Sequence, residues 1–275
     1  MIRDMTLGQY FPGNSVIHKL DPRMKLILVV FYIVILFVMK TALSYALATA
    51  ATVGLMVLSK IPFKTYLKGL KPLLIIVVFT GLINLFYGKG DPLVQFWIFR
   101  ITADGIVNAT KMILRIALLV ISTAMLTYTT SPVLLTGGLE RLLSPLRAIK
   151  VPVHEFSMMI TIALRFIPTL TEETDKIISA QKARGADFES GNLLKRVKAV
   201  IPIIIPLFIS SFRRADELAI AMECRCYNGD GKNRTRLTQY SFRFRDYAAF
   251  LLLCLFLAGV IVLNNFSFTC GMFVL

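Results

Sequence analysis

Residues 105–128 read GIVNATKMILRIALLVISTAMLTY, and this stretch contains only two charged side chains, Lys111 and Arg115. A helix needs about 20 mainly apolar residues to cross the hydrocarbon core of a bilayer. The stretch therefore predicts a membrane-spanning helix. Charged side chains within a span are candidates for function, and Arg115, the deeper of the two, is expected to need a backbone carbonyl or an acidic group as its partner.

Four other stretches have a similar composition, namely residues 24–39, 42–58, 72–87 and 247–263. Asp21 followed by Pro22 predicts an N-cap and a first helical position just before the first of them. The chain of 275 residues is 56% hydrophobic and 17% charged, whereas soluble domains contain about 25% charged residues. We therefore predict an all-α, multi-pass membrane protein with about five spans.

The positive charges lie on alternate sides of the predicted spans. Eighteen of the 31 Lys and Arg residues fall within residues 129–245. Cytoplasmic segments of membrane proteins carry an excess of Lys and Arg. This pattern predicts a cell-membrane protein with its N-terminus and residues 129–245 in the cytoplasm and its C-terminus outside. The predicted domains are an N-terminal membrane bundle (1–128), a cytoplasmic or interfacial domain (129–245) and a C-terminal span (246–275).

The formal net charge of +15 would suggest a nucleic-acid partner in a soluble protein. Here the apolar composition indicates that the cations face the anionic inner leaflet of the bilayer. The lipid bilayer, and not a nucleic acid, is thus the expected partner of this charge.

Residues 129–245 contain two long segments with the helical period of an amphipathic helix, Val153–Gly185 and Leu193–Cys226. Within the second segment, residues 197–210 are apolar enough to suggest a sixth span. Both flanks of this run are basic, and Pro202 and Pro206 are expected to break it. We therefore expect the run to be buried at the membrane interface against other helices and not to cross.

The two amphipathic segments end in the same way. Three identities recur after a shift of forty-one residues: Asp175 and Asp216, Ala180 and Ala221, and Arg184 and Arg225. A structural role explains one copy, because arginine suits the negative end of a helix dipole and Gly185 suits a C-cap. In the second copy Cys226 replaces that glycine while the arginine stays. Two exposed guanidinium groups at paired helix ends favour insertion into acidic or carbonyl-lined pockets of partners, since arginine forms charge-assisted bidentate hydrogen bonds.

The N-terminal string GQYFPGNSVIHKLDPRMK (8–25) precedes the spans, and the strings AQKARG (180–185) and AMECRC (221–226) end the amphipathic segments. These motifs closely resemble the transmembrane (T) component of energy-coupling factor (ECF) transporters, over the chain from the N-terminal string to the last span. The resemblance implies a coupling subunit that joins two ABC-type ATPases to a substrate-binding membrane protein, the S component. The implied activity is ATP-driven uptake of vitamins or metal ions.

The resemblance also implies a role for the paired motifs. In this family the motifs lie at the ends of coupling helices, and their arginines insert into grooves on the ATPases. The partner-binding residues implied here are Ala183, Arg184 and Gly185 in the first motif and Cys224, Arg225 and Cys226 in the second. The second motif departs from the Ala-Arg-Gly pattern, but its flanking residues remain small, so we expect insertion to persist.

Two other functions are compatible with the residues alone. A stand-alone permease or secondary transporter would use paired charges within its spans, for which Lys111 and Arg115 are the candidates. A membrane enzyme acting on lipid or prenyl substrates would use clustered acidic metal ligands, for which Glu172, Glu173 and Asp175 are the candidates. The sequence contains no GxxxxGK[ST] phosphate loop, so ATP hydrolysis is expected in partner subunits.

No metal or cofactor site is expected. His18 and His154 are the only histidines, and they are far apart in the sequence. The four cysteines lack the paired spacing of zinc sites. We therefore predict a non-catalytic chain without cofactors.

Overall fold

The computed structural model describes residues 10–86, 92–96, 99–186, 188, 193–227 and 241–271. Within them the chain forms nine α-helices: α1 (Pro22–Val38), α2 (Ala42–Ser59), α3 (Phe63–Leu70), α4 (Leu74–Phe86), α5 (Ala103–Thr129), α6 (Pro132–Leu142), α7 (Val153–Ala183), α8 (Leu193–Glu223) and α9 (Phe244–Gly271). A hairpin of two short antiparallel strands, β1 (Pro92–Phe96) and β2 (Phe99–Thr102), lies between α4 and α5. The predicted helical fold class is confirmed.

Short polar side chains begin several of these helices. The Asp21 carboxylate accepts a hydrogen bond from the Arg23 N–H (2.9 Å), and Pro22 is the first residue of α1, as the sequence predicts. Thr41 and Thr102 cap α2 and α5, each through a bond from the backbone N–H three residues later. These bonds satisfy N–H groups that lack a partner within the helix.

Four segments of the described chain are long and apolar enough to cross a membrane: Ala42–Ser59, Phe63–Leu85, Asp104–Thr129 and Phe244–Asn265. Helix α1 has 17 residues, which is the lower limit for a span. These five segments agree with the predicted number of about five.

The third span begins earlier than the sequence predicts. The predicted boundaries are 72–87, whereas α3 begins at Phe63 and continues through a 3-10 turn, Lys71–Leu73, into α4. Pro72 occupies the start of that turn, where a missing N–H is tolerated, so it does not end the helical path. Tyr87, the predicted end, lies outside the described residues.

The chain divides into two compact units. The membrane unit contains the described residues from 10 to 141 and from 241 to 271, and the α7–α8 unit contains those from 142 to 227. The membrane unit has a core of buried side chains from α1, α2, α5 and α9: Tyr32, Ile35, Leu36, Met39, Tyr45, Ala48, Leu118 and Val260.

A buried lysine joins α1 to the end of α5 in the membrane unit. Lys25 is only 5% exposed. Its ammonium group donates hydrogen bonds to the Thr129 carbonyl and the Thr130 hydroxyl, both at 3.0 Å, and to the His18 carbonyl at 3.3 Å. A buried charge is tolerated only when its hydrogen-bonding groups are satisfied, and here three oxygens satisfy one ammonium group.

A buried carboxylate joins the start of α1 to the start of α9. Asp246 is 2% exposed. Its two oxygens accept hydrogen bonds from the backbone N–H groups of Asp21 (2.9 Å) and Arg243 (2.8 Å). The second bond is one half of a capping box, in which a side chain two or three residues into the helix satisfies the N–H before it.

We expect Asp246→Ala to lower the free energy of unfolding by roughly 2–4 kcal/mol, because two buried backbone N–H groups then lose a charged acceptor. Asp246→Asn keeps one acceptor oxygen in place and should lose about half as much. Thermal unfolding of the purified chain in mild detergent measures both values. Equal stability of wild type and Asp246→Ala would contradict this role.

The α7–α8 unit contains the two long helices that the sequence predicts. The predicted segments Val153–Gly185 and Leu193–Cys226 correspond to α7 and α8, and their last residues form the turns that end each helix. The amphipathic pair is therefore confirmed.

The expectation that Pro202 and Pro206 break the second segment is wrong, because α8 is continuous through both. Each proline removes one backbone N–H. Since the prolines are four residues apart, the bond that Pro206 cannot donate would have ended at the Pro202 carbonyl. Both losses therefore fall on one face of the helix, and the remaining bonds maintain it.

The expected burial of the apolar run in α8 is also not found within the described chain. Ile203 is buried. Other apolar side chains of the run are more than half exposed: Ile204, Ile205, Phe208 and Ile209. The run therefore presents a wide apolar face to its surroundings.

Candidate functional site: the ends of the paired helices

Helix α7 ends in a tight turn around Arg184. The Arg184 N–H donates to the carbonyls of Ala180 (3.2 Å) and Gln181 (3.1 Å). Gly185 follows in the left-handed region with φ +86°, and the next N–H, of Ala186, donates back to Gln181 (3.0 Å). A bond from the second residue past the helix end to a carbonyl five residues earlier is the Schellman C-cap.

Helix α8 ends in the same turn, forty-one residues later. Cys226 takes the left-handed conformation with φ +57°, at the position equivalent to Gly185. The Tyr227 N–H donates to the Met222 carbonyl (3.0 Å), and the Cys226 N–H donates to the Glu223 carbonyl (2.8 Å). The departure from glycine therefore leaves the cap geometry intact, at the cost of a strained conformation for a residue with a Cβ.

The two caps place Arg184 and Arg225 at equivalent points, each one residue before the left-handed residue. Both arginines are exposed, as are the flanking residues of both motifs. Within the described chain neither guanidinium group forms a hydrogen bond or an ion pair. The site thus consists of two free, positively charged helix ends with the same backbone geometry.

A polar contact joins the two helices at equivalent positions. Glu173 of α7 accepts hydrogen bonds from Ser210 and from Arg214 of α8, the latter at 2.6 Å. The Ser210 hydroxyl and the Arg214 guanidinium hold the pKa of the Glu173 carboxyl below its ordinary value of 4.5. Glu173 and Arg214 are themselves related by the shift of forty-one residues.

This equivalence sets the distance from the contact to each tip. Arg184 lies eleven residues beyond Glu173, and Arg225 lies eleven residues beyond Arg214. With a rise of 1.5 Å per residue, each arginine is about 16 Å along its helix from the contact. The two arginine tips therefore lie at equal distances along their helices from the Glu173–Arg214 contact.

The charged residues of the fourth span have separate environments. The Arg115 guanidinium donates to the Tyr45 hydroxyl (2.6 and 2.9 Å) and to the Met39 carbonyl (3.4 Å). The expected carbonyl partner of Arg115 is thereby confirmed. Lys111, one turn away, forms no such contact with any described residue.

The other residues proposed for catalysis or metal binding do not converge. Of the acidic residues on α7, Glu173 is engaged by α8, and the described chain contains no group of three or more His, Cys, Asp or Glu side chains placed to share a metal ion. His18 is held by the Ser15 hydroxyl (2.7 Å) and the Phe11 carbonyl (2.9 Å), a role within the N-terminal string.

The contact between Glu173 and Arg214 was missed at the level of sequence. The shift of forty-one residues that aligns the two arginines also aligns these two positions. Because Glu and Arg are not identical, a search for identities passes over them. A search for complementary charges at the same shift would have found the pair.

Comparison with known proteins gives the family. Residues 13–237 match the CbiQ family, described as cobalt transport protein. An energy-coupling factor transporter transmembrane protein of Ruminiclostridium cellulolyticum is 53% identical over 268 residues, which cover 98% of this chain and 100% of the relative. Proteins of the same description from Thermosediminibacter oceani and Lactococcus lactis subsp. cremoris are 49% and 44% identical, over 95% and 89% of this chain and 98% and 92% of their own length. The chain belongs to this family.

Membership confirms the resemblance and assigns the chain as a transmembrane component of an ECF transporter. It is accordingly a multi-pass membrane protein of transport. A stand-alone permease or a lipid-modifying enzyme is not favoured by these matches.

The conformation of the two caps leads to a reciprocal prediction. Gly185→Ala should weaken the α7 cap by about 1 kcal/mol, because a Cβ is disfavoured at positive φ, although it would meet no atom within 4 Å. Cys226→Gly should strengthen the α8 cap by a similar amount. Hydrogen exchange at the amides of Ala186 and Tyr227 should change about fivefold in opposite directions. Changes of the same sign would show that the caps are not equivalent.

The lowered pKa of Glu173 makes the stability contributed by its contact with α8 depend on pH. A carboxyl whose pKa is lowered in the folded state contributes stability above its ordinary pKa and loses it as the pH falls towards the lowered value. Wild type should therefore be more stable than Glu173→Gln at about pH 7, and the difference should be smaller at about pH 3. Denaturant unfolding at both pH values measures it, and a difference independent of pH would contradict the contact.

Proposed function

We propose that Arg184 and Arg225 are the anchors by which this transmembrane component holds two ABC-type ATPase subunits. The observation that carries the proposal is the pair of exposed guanidinium groups on equivalent helix caps, without a partner in the described chain. Two like anchors suit two copies of a like partner. Ala183, Gly185, Cys224 and Cys226 flank the anchors, and their small size leaves the guanidinium groups accessible to a groove.

The ATPases supply the chemistry in this proposal. This chain has no phosphate loop, so ATP is hydrolysed in the partner subunits. When the ATPases close around nucleotide, they move the tips of α7 and α8. The contact at Glu173 joins α7 to α8 between their tips and the rest of each helix. Motion of one helix end is therefore passed to the other helix through this contact.

The apolar faces of α7 and α8 form the second half of the proposed coupling device. Exposed apolar side chains on these faces include Phe156, Met159 and Ile160 in α7 and Phe208 and Phe212 in α8. We propose that they receive a substrate-binding S component at the membrane interface. Its cargo is a vitamin or a metal ion, the latter consistent with the cobalt transport named for the matched family.

The distribution of Lys and Arg indicates on which side of the membrane the segments lie in this proposal. Residues 129–245 and the N-terminus face the cytoplasm, because the excess of Lys and Arg lies there. The proposed domains are the membrane bundle (1–128), the coupling domain (129–245) and the C-terminal span (246–275). Thus the arginines lie on the side where ATP is present.

Charge reversal of the anchors tests the proposal. We expect Arg184→Glu and Arg225→Glu each to reduce co-purification of the ATPases by about tenfold or more, because each removes charge-assisted hydrogen bonds and adds repulsion. The double variant should abolish ATP-dependent uptake while the chain still inserts in the membrane.

Two other arginines of the same helices provide matched controls. Arg165 in α7 and Arg213 in α8 are exposed and lie away from the helix ends. Arg165→Glu and Arg213→Glu make the same charge change and should retain the ATPases. Retention of the ATPases by the double tip variant, or equal loss in the control variants, would overturn the proposed anchoring role.

A further inference from the structure

The membrane unit contains an apolar groove with a volume of about 450 Å³. Its walls come from α1, α2, α5 and α9, with Leu28, Gly54, Leu58, Met125, Leu252 and Phe256 among the lining residues. Several of these helices are membrane-spanning segments. The outer edge of the groove is exposed, since Leu58 is 54% and Leu252 66% exposed. The groove is therefore open to the hydrocarbon that surrounds the membrane unit.

The groove lies at one end of the bundle. Lys25 and Thr129, which form the buried junction, line it. Helices α1 and α9 begin near this end, whereas α2 and α5 end there. On α1 the lining residues run from Lys25 to Tyr32, which is roughly 10 Å along the helix axis. The groove therefore occupies the half of the helix bundle next to the junction.

Exposed cations are sequence neighbours of residues that line the groove, and we call them the rim cations. Lys19 lies between Ile17 and Leu20, which line the groove, and Lys60 lies two residues after Leu58. Both lysines are exposed, and neither ammonium group has a hydrogen-bond or ion-pair partner in the described chain. A third exposed cation, Arg245, precedes the lining residue Ala249 by one helical turn.

Apolar walls next to unpaired cations fit one class of molecule. We propose that the groove holds an acyl chain of an anionic phospholipid from the adjacent leaflet, with its phosphate at Lys19 and Lys60. Lys25 does not contact the phosphate, because its ammonium group is already bonded to three protein oxygens. The acyl chain fills the space beside Gly54, and the rim cations select the negative headgroup.

Gly54 gives direct access to the acyl site. Gly54 lines the groove, and a Cβ atom added there would meet no atom within 4 Å, so a new side chain begins in open space. Gly54→Leu fills part of the space and Gly54→Phe fills more of it. Because both variants also replace a helical glycine, neither weakens α2 itself.

The test uses the full chain, purified in mild detergent and stripped of lipid. The chain is titrated with dioleoyl phosphatidylglycerol or with dioleoyl phosphatidylcholine. Native mass spectrometry counts the bound lipid molecules. Wild type should retain phosphatidylglycerol about tenfold better than phosphatidylcholine, because two rim cations attract the phosphate. Gly54→Leu should reduce retention of both lipids, and Gly54→Phe should reduce it further. Free glycerol phosphate at the same concentration should not compete, since it lacks an acyl chain.

Matched charge variants isolate the headgroup. Lys19→Gln with Lys60→Gln should bring phosphatidylglycerol retention down to that of phosphatidylcholine. Lys40→Gln with Lys111→Gln removes the same charge from elsewhere in the membrane unit and should change nothing. Equal retention of the two lipids by wild type would overturn the proposal, as would unchanged phosphatidylglycerol retention in both Gly54 variants. Loss of a co-purifying membrane protein in the Gly54 variants, with lipid binding unchanged, would show that a protein and not a lipid fills the groove.

Discussion

The guanidinium groups of Arg184 and Arg225 carry a positive charge, and the described chain offers neither of them a partner. Burying such a group without a partner costs several kcal/mol of free energy, whereas burying it against oriented hydrogen-bond acceptors offsets that cost. Any surface that receives the two tips must therefore present acidic or carbonyl oxygens to each of them. This requirement makes the docking selective, because an apolar or basic groove of the same shape would reject both arginines.

The cap geometry determines where those charges stand. A Schellman turn ends each helix one residue after the arginine, so the side chain leaves from the last turn and the backbone then reverses away. The left-handed residue is Gly185 in one copy and Cys226 in the other. That a cysteine accepts this conformation shows that the hydrogen bonds of the turn outweigh the strain at one residue.

Much of this architecture could be predicted from the sequence. Helical period and apolar length gave both long helices to within a few residues and the spans at 42–58 and 105–128 to within two, because these features depend on local composition. The predicted start of the third span is nine residues late, since the apolar stretch begins at Pro72 whereas a 3-10 turn joins that stretch to α3.

What could not be predicted depends on contacts between distant segments. Thr129 and Thr130, which bind Lys25, and Asp21, which binds Asp246, each lie more than a hundred residues from their partner in the sequence. The continuity of α8 through Pro202 and Pro206 was missed because composition alone does not show whether neighbouring turns can maintain a helix that lacks two bonds. The sequence predicts the two arginines at the helix ends. It does not predict that Gly185 and Cys226 share the left-handed conformation, which only the structure shows.

The charged groups differ between the two units in whether they have partners within the described chain. In the membrane unit the charged groups of Lys25, Arg115 and Asp246 are satisfied by hydroxyls and backbone groups, so each fixes one helix against another. In the described part of the α7–α8 unit an ion pair between Glu173 and Arg214 joins the helices, and the tips and the apolar faces remain open. The same two helices therefore present charge at their ends and apolar surface along their length, which are the two surfaces that the proposed coupling needs.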